Sequence, residues 1–250
     1  LVVDLNPGRE KQSEEQHLTI QETEPESTHA ENYRINSFHL GEGSPKQKFR
    51  ANMDAIYTLK ALENQHRDAT PEEQETLANY VGWGGLADAF DAEKTAWTGE
   101  YKELKAALTE EEYAAARAST LNAHYTSPTV IRAIYEALDG MGFEKGNILE
   151  PSMGVGNFFG MLPDSMLGSR LYGVELDSIT GRIAQKLYPQ AEIKVAGFET
   201  TDRRDFYDLA VGNVPFGNYR VSDKPYDKLG FSIHNYFFAK ACLLYTSDAA

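Results

Sequence analysis

From residue 121 onward the chain alternates short apolar runs with helical patterns, and this alternation restricts the fold more than any other feature. Ser127 and Pro128 open a helix, "SPTVIRAIYEAL", which Asp139 and Gly140 close. "NILEPS" then reads as a buried strand, "GNFFGML" as the start of a helix, "RLYGVEL" as a strand and "SITGRIAQKLY" as a helix. "AEIKVAGF" and "YDLAVGN" are two more strands. Such an order builds βαβ units around a parallel sheet, and ligands of these sheets bind in a crevice at the carboxyl ends of the strands.

Upstream the composition changes twice. Residues 1–45 are rich in Glu, Gln, Thr and Ser, with too few large apolar side chains to offset the entropy of ordering, so an acidic disordered linker is expected there. Residues 46–120 are expected to be helical. From Phe49, the residues Met53, Ile56, Leu59 and Leu62 recur at the spacing of one helix face. In "TPEEQETLANYV", Thr70 caps, Pro71 suits the first helical position and Glu73 completes a capping box; Thr109 and Glu112 repeat the device in "TEEEYAAARAST". Between them, "YVGWGGLADAF" reads as a helix C-cap around a buried Trp83 or as a loop whose backbone approaches a ligand.

Several function classes are excluded or disfavoured. No run of about 18 apolar residues exists to span a bilayer, and the acidic start is unlike a secretory signal, so a cytoplasmic protein with no membrane partner is expected. The single Cys242 forms no internal disulfide, and no Cys/His cluster has metal-ligand spacing, so no metal is expected. A net charge of −14 opposes nucleic-acid binding over the whole surface. Any contact with DNA must be local or assisted.

The informative residues collect at the strand ends. In "ILEPSMGVGNFF", Gly154 and Gly156 fall in the turn between strand and helix, where a backbone free of side chains can approach a ligand. The next strand ends in "GVELD", which places Glu175 nineteen residues after Gly156, in position to reach ribose hydroxyls. Together they point to an adenosine-containing ligand; a tight turn beside a solvated strand-end acid is the alternative. The third glycine, Gly160, comes one residue late for a dinucleotide fingerprint, and Phe158 and Phe159 fill the helix start. Glu150 before the loop suits a cationic ligand, whereas it would repel a phosphate. S-adenosylmethionine, with its ammonium and sulfonium, meets that demand.

The stretch "DLAVGNVPFG" then acquires a meaning. With Asn213, Val214, Pro215 and Phe216 it resembles the amino-group DNA methyltransferases, whose catalytic motif is Asn, Asp or Ser followed by Pro-Pro-Tyr or Pro-Pro-Phe. The order "HYTSP", "EPSMGVGNF", "GVELD", "GNVPF" is similar to that of the adenine-specific class. "YVGWGGL", "NAHYTSP" and "FSIHNYFFAK" resemble the very large methylase and helicase polypeptides of conjugative elements and phages, over roughly residues 33 to 241.

The resemblance implies a Rossmann-like α/β S-adenosylmethionine-dependent methyltransferase fold preceded by a small helical region. Residues 121–250 would be the N-terminal, incomplete part of the methyltransferase domain, with a partial, C-terminally truncated parallel sheet that ends on an uncovered "YDLAVGN". It implies a cofactor site of Tyr125, Thr126, Glu150, Pro151, Ser152, Gly154, Gly156, Asn157, Phe158, Glu175, Leu176, Phe198 and Glu199. Tyr125 and Thr126 would meet the cofactor's amino-acid end, and Glu199 or Asp202 would lie near the adenine ring with Phe198 against its face. The substrate would be adenine in DNA, flipped from the duplex; a helicase and the remaining methyltransferase segments would share the polypeptide.

The chemistry asked of the motif is definite. An adenine amino group is a poor nucleophile, so the site must accept hydrogen bonds from both N–H groups as the nitrogen becomes tetrahedral. Asn213 offers a side-chain carbonyl and Val214 a backbone one; Pro215 fixes the turn, and Phe216 stacks on the extruded base. Val214 departs from the family pattern, replacing the first Pro and loosening the turn. Two other classes stay open: a nucleotide-dependent oxidoreductase, which has no use for Asn213–Phe216, and a non-catalytic module of a helicase machine. No GxxxxGK[ST] motif occurs, so a motor would lie elsewhere. "CLLYTSDAA" breaks the amphipathic run "SIHNYFFAKA" and receives no functional reading.

Overall fold

The structure, a computed structural model, describes residues 30–36, 41–120, 125–217 and 219–245. Most of the expected linker, residues 121–124, which include the start of the "NAHYTSP" stretch, and the final five residues lie outside that range. One described piece of the linker, 30–36, is bonded to the body of the protein. Its Tyr33 N–H donates to Leu187 O at 2.8 Å and its Ile35 N–H to Gly160 O at 2.9 Å, while Arg34 bonds Leu162 O at 2.7 Å.

Capping fixes the helical region. Helix α1, Pro45–Gln65, begins four residues before Phe49 because Ser44 and Gln47 form a capping box that the periodicity alone does not reveal. Helix α2, Pro71–Ala78, and helix α4, Glu110–Ser119, start on the boxes expected at Thr70/Glu73 and Thr109/Glu112. Helix α3, Thr98–Ala107, has no side-chain cap bond at its N-terminus and buries only Leu104 along its length, so it left little trace in the sequence. Between α2 and α3 the glycine-rich stretch is not a C-cap, since α2 ends on Asn79. Trp83 is nevertheless buried, edge-on to Phe49, Tyr80 and Phe90.

Helix α5, Pro128–Gly140, leads to strand β1, Asn147–Glu150, then the short helix α6, Asn157–Gly160, and strand β2, Arg170–Glu175. Helix α7, Ser178–Leu187, strand β3, Glu192–Val195, strand β4, Leu209–Ala210, and helix α8, Ile233–Leu244, complete the order. The four strands are parallel in the order β3-β2-β1-β4. Helix α8 runs on through Cys242 to Leu244, where the sequence pattern had suggested a break. The expected strand over 207–213 shrinks to two ladder residues, and its edge is partly covered, because Tyr245 bridges Tyr207 in parallel.

Neighbouring strand residues face opposite layers. Ile148 joins a core that runs without interruption from Phe49 and Trp83 through Ile131 and Phe158 to Tyr188, whereas Leu149 and Val174 join a second cluster under α8 with Phe198, Ile233 and Phe237. The helical region is bound to α7 by polar contacts as well: Arg182 pairs with Glu63 at 3.1 Å and with Glu112, and Lys186 donates to Arg67 O at 2.6 Å. The chain crosses from β1 outward to β2 and β3, then returns to place β4 on the other side of β1. That reversal opens a crevice between the carboxyl ends of β1 and β4.

Candidate active site

At that crevice lies a cavity of ≈ 310 Å³. From β1 and its turn it receives Glu150, Pro151, Ser152 and Gly154, from α6 Phe158, from the end of β2 Glu175 and Leu176, and from the turn after β3 Phe198 and Glu199. Tyr125 and Thr126 close one side, and Asn213, Val214, Pro215 and Phe216 the other. Two of the expected residues are elsewhere. Gly156, at φ +84°, is turned into the core, where a Cβ would come within 2.5 Å of the Tyr188 ring, and Asn157 lines a separate hollow beside Gly85 and Ser127. Of the pair Glu199 and Asp202, Glu199 lines the cavity, while Asp202 lies in a groove with Tyr172 and Arg203.

Glu175 is already engaged. Its Oε2 accepts from the Gly154 N–H at 2.8 Å and its Oε1 from the Asp177 N–H at 2.8 Å, so one carboxylate shapes the glycine turn and the start of α7 together. Each oxygen keeps acceptor capacity for a ligand hydroxyl. Gly154 sits at φ +57°, and a Cβ there would press on the Tyr125 ring at 3.1 Å, so a side chain is disfavoured on both counts. Asp177 caps α7, accepting from Thr180 N–H at 2.8 Å and from Thr180 Oγ1 at 2.7 Å.

Glu150 is in a different condition. It is 2% exposed and its Oε2 has no hydrogen-bond partner. Burial, reinforced by the nearby Glu175 charge, lifts its pKa well above the ordinary carboxylate value. Burial likewise raises Glu175, although the N–H groups of Asp177 and Gly154 oppose the shift. An unpartnered acceptor beside a second acid favours a cationic or hydrogen-donating ligand.

The β1 and β4 ends are tied directly, since Ser152 Oγ donates to Asn213 O at 2.8 Å. Gly212, at φ +153°, brings this backbone close to Glu150, with room for a Cβ only 3.2 Å from Glu150 Cγ. Val214 packs against the apolar cluster under α8, which anchors the turn. Phe216 is 61% exposed.

No family model matches the chain. It is 29% identical over 192 residues to the defense against restriction protein B of Escherichia phage P1, which covers 74% of this chain and 7% of that protein. Over 92 residues it is 34% identical to the type II methyltransferase M.CvrRI of Paramecium bursaria Chlorella virus XZ-6E, covering 37% of this chain and 24% of that protein. The chain is thus similar to a phage protein and to a viral methyltransferase. It spans less than a quarter of the length of either of these curated relatives. Among solved structures, a Listeria monocytogenes protein described as a class I S-adenosylmethionine-dependent methyltransferase aligns at 14% identity with a TM-score of 0.40, over 81% of this chain and 71% of that one.

The cavity also has walls that sequence reasoning missed. Tyr219, Val221, Ile233 and Phe237 line it on the side of Asn213–Phe216. Phe237 stacks on Phe198 with ring centroids 4.8 Å apart at 28°, so α8 sets the aromatic face of the opposite half. The alternation of α8 carried that signal only as a buried stripe. The glycine-rich loop contributes from behind: Asn52 of α1 donates to Gly82 O at 2.6 Å and accepts from Val81 N–H at 2.8 Å. This clamp holds Tyr80, whose hydroxyl is pushed up by burial and by the Asp177 charge. Among the described residues no group of three or more His, Cys, Asp or Glu could hold a metal, and no helix is long and apolar enough to cross a membrane.

Proposed function

We propose that this chain carries the S-adenosylmethionine site and the catalytic turn of an enzyme that methylates the exocyclic amino group of adenine in DNA. The observation that carries the reading is one cavity lined by Glu150, Gly154, Glu175 and Phe198 on one side and by Asn213–Phe216 on the other. The donor set suits the cofactor: the unpartnered carboxyl of Glu150 for a cationic group, Glu175 for ribose hydroxyls and Phe198 for a ring face. When bound, S-adenosylmethionine supplies a methyl group from its sulfonium for in-line displacement by nitrogen.

The protein's own part is acceptance and orientation. The Asn213 side-chain carbonyl and the Val214 backbone carbonyl take hydrogen bonds from the amino group, and their strength grows as its lone pair leaves the ring. Ser152 fixes Asn213 through its backbone carbonyl, Pro215 restricts the turn, and exposed Phe216 offers a stacking face for an extruded base. The names of the phage and viral relatives support this substrate class. The natural setting would be the cytoplasm of a bacterium, within a longer phage- or mobile-element-encoded polypeptide that also carries a helicase and further methyltransferase segments.

Calorimetric titration with S-adenosylmethionine and methyl incorporation into adenine-containing DNA test the reading. Asn213→Ala should keep cofactor binding and lower the methylation rate by roughly 10²–10³, the loss expected when one positioned group is removed from a transition state. Phe216→Ala should weaken base capture by about 1–3 kcal/mol. A stable, fully active Asn213→Ala protein would reduce the motif to a turn. Cofactor binding without turnover in the wild type would identify a non-catalytic recognition module.

A further inference from the structure

We infer that the loop 219–230 at the cavity mouth is the surface that grips the nucleic-acid backbone, with Arg220, Lys224 and Lys228 as its phosphate contacts. The inference rests on the methyltransferase reading and adds to it a location for substrate binding on a chain of net charge −14. All three cations are exposed. Arg220, Lys224 and Lys228 enter no ion pair among the described residues, unlike Arg50, Arg67, Arg182 and Arg203; other unpaired cations, such as Lys102, Arg117 and Lys145, do not line this cavity.

The loop's own acids do not cancel them. Asp223 is turned inward, where its Oδ2 accepts from Lys240 Nζ at 2.7 Å and from Tyr236 Oη at 2.8 Å. The Lys240 and Asp223 side chains are only 6% and 10% exposed. Lys240 Nζ also donates to Glu199 O at 2.9 Å and lies 5.5 Å from the Phe198 ring centre, so α8 pins the loop to the cofactor-side wall. Asp227 accepts from the Asp223 N–H at 2.8 Å and is the remaining acid of the loop against three outward cations. Beside them Phe216 and Tyr219 are 61% and 47% exposed at the same cavity. Cations interleaved with exposed aromatic faces suit a nucleic-acid strand, whose phosphates and bases use both, better than a bare anionic surface.

The test is the salt dependence of binding of a labelled adenine-containing oligonucleotide, single-stranded and duplex, followed by fluorescence anisotropy with the full chain. Each phosphate contact contributes about 0.7–0.9 to the slope of log affinity against log salt, so Arg220→Ala/Lys224→Ala/Lys228→Ala should lower that slope by about 2. Each single substitution should remove roughly one contact's share. Lys102→Ala/Arg117→Ala/Lys145→Ala, which neutralises exposed cations remote from the cavity, should leave the slope unchanged. A wild-type slope in the loop variant, or an equal loss in the control, overturns the inference. So does anionic-vesicle binding as tight as oligonucleotide binding. If the wild type binds no oligonucleotide, the inference falls, and cofactor titration of the same sample reads separately whether the methyltransferase assignment falls with it.

Discussion

Replacing Glu150 by glutamine asks whether the cavity is built around a positive charge. In the folded protein burial holds this carboxyl neutral well above its ordinary pKa of 4.5, and its Oε2 has no partner. The folded state therefore binds the proton more tightly than the unfolded chain, and stability falls as pH rises from about 4.5 through the raised folded value. Glutamine keeps the size and removes the ionisation. Relieving an uncompensated buried group is worth on the order of 1–3 kcal/mol, and each kcal/mol shifts melting by roughly 2–4 °C in a chain of this size. Glu150→Gln should thus melt higher than wild type near pH 8, and the two should converge below about pH 4, where the carboxyl is protonated in both states. The same change should cost about 1–3 kcal/mol of S-adenosylmethionine affinity, roughly 5- to 150-fold, because the cation loses its counter-charge. Wild-type binding should release a proton, which calorimetry in buffers of different ionisation enthalpy detects. Melting of the variant below wild type at pH 8, together with unchanged cofactor affinity, would refute the reasoning.

Three further outcomes follow from the same geometry. Gly154→Asp should abolish S-adenosylmethionine binding, since a side chain at φ +57° meets the Tyr125 ring and adds an acid beside Glu175; calorimetry with undiminished heat would exclude the glycine turn as the cofactor's seat. Glu175→Ala should weaken cofactor binding by about 1–3 kcal/mol and also lower the melting temperature, because the Gly154 and Asp177 N–H groups lose their acceptor; loss of affinity with unchanged melting would argue against that structural share. Asn52→Ala strips the clamp from Val81 and Gly82 and should destabilise the fold by about 1–3 kcal/mol in chemical denaturation, and an unaltered midpoint would show that the loop holds itself.

The sequence by itself determined the parts whose causes are short-range. Capping boxes at Thr70 and Thr109 act over three residues, the α/β alternation follows from local periodicity, and the chain order of glycine turn, Glu175 and Asn213 is written directly in the letters. Those signals, together with the family resemblance, named most residues that line the cavity. The tertiary structure decided how they are used. Gly154 and Gly156 look equivalent in "MGVGN", yet the backbone turns one toward the cavity and buries the other against Tyr188, a residue 32 positions away in the chain. In the sequence Glu175 reads as a carboxylate that reaches ribose hydroxyls, and the return of the glycine turn over β2 also brings a backbone N–H to each of its oxygens. The Ser152–Asn213 bond, the Asn52 clamp and the Lys240–Asp223 pair join partners 61, 30 and 17 residues apart. A polar side chain carries no mark in one sequence of the distant group that will satisfy it, because that pairing is set by which strand returns beside β1 and which helix then covers the sheet.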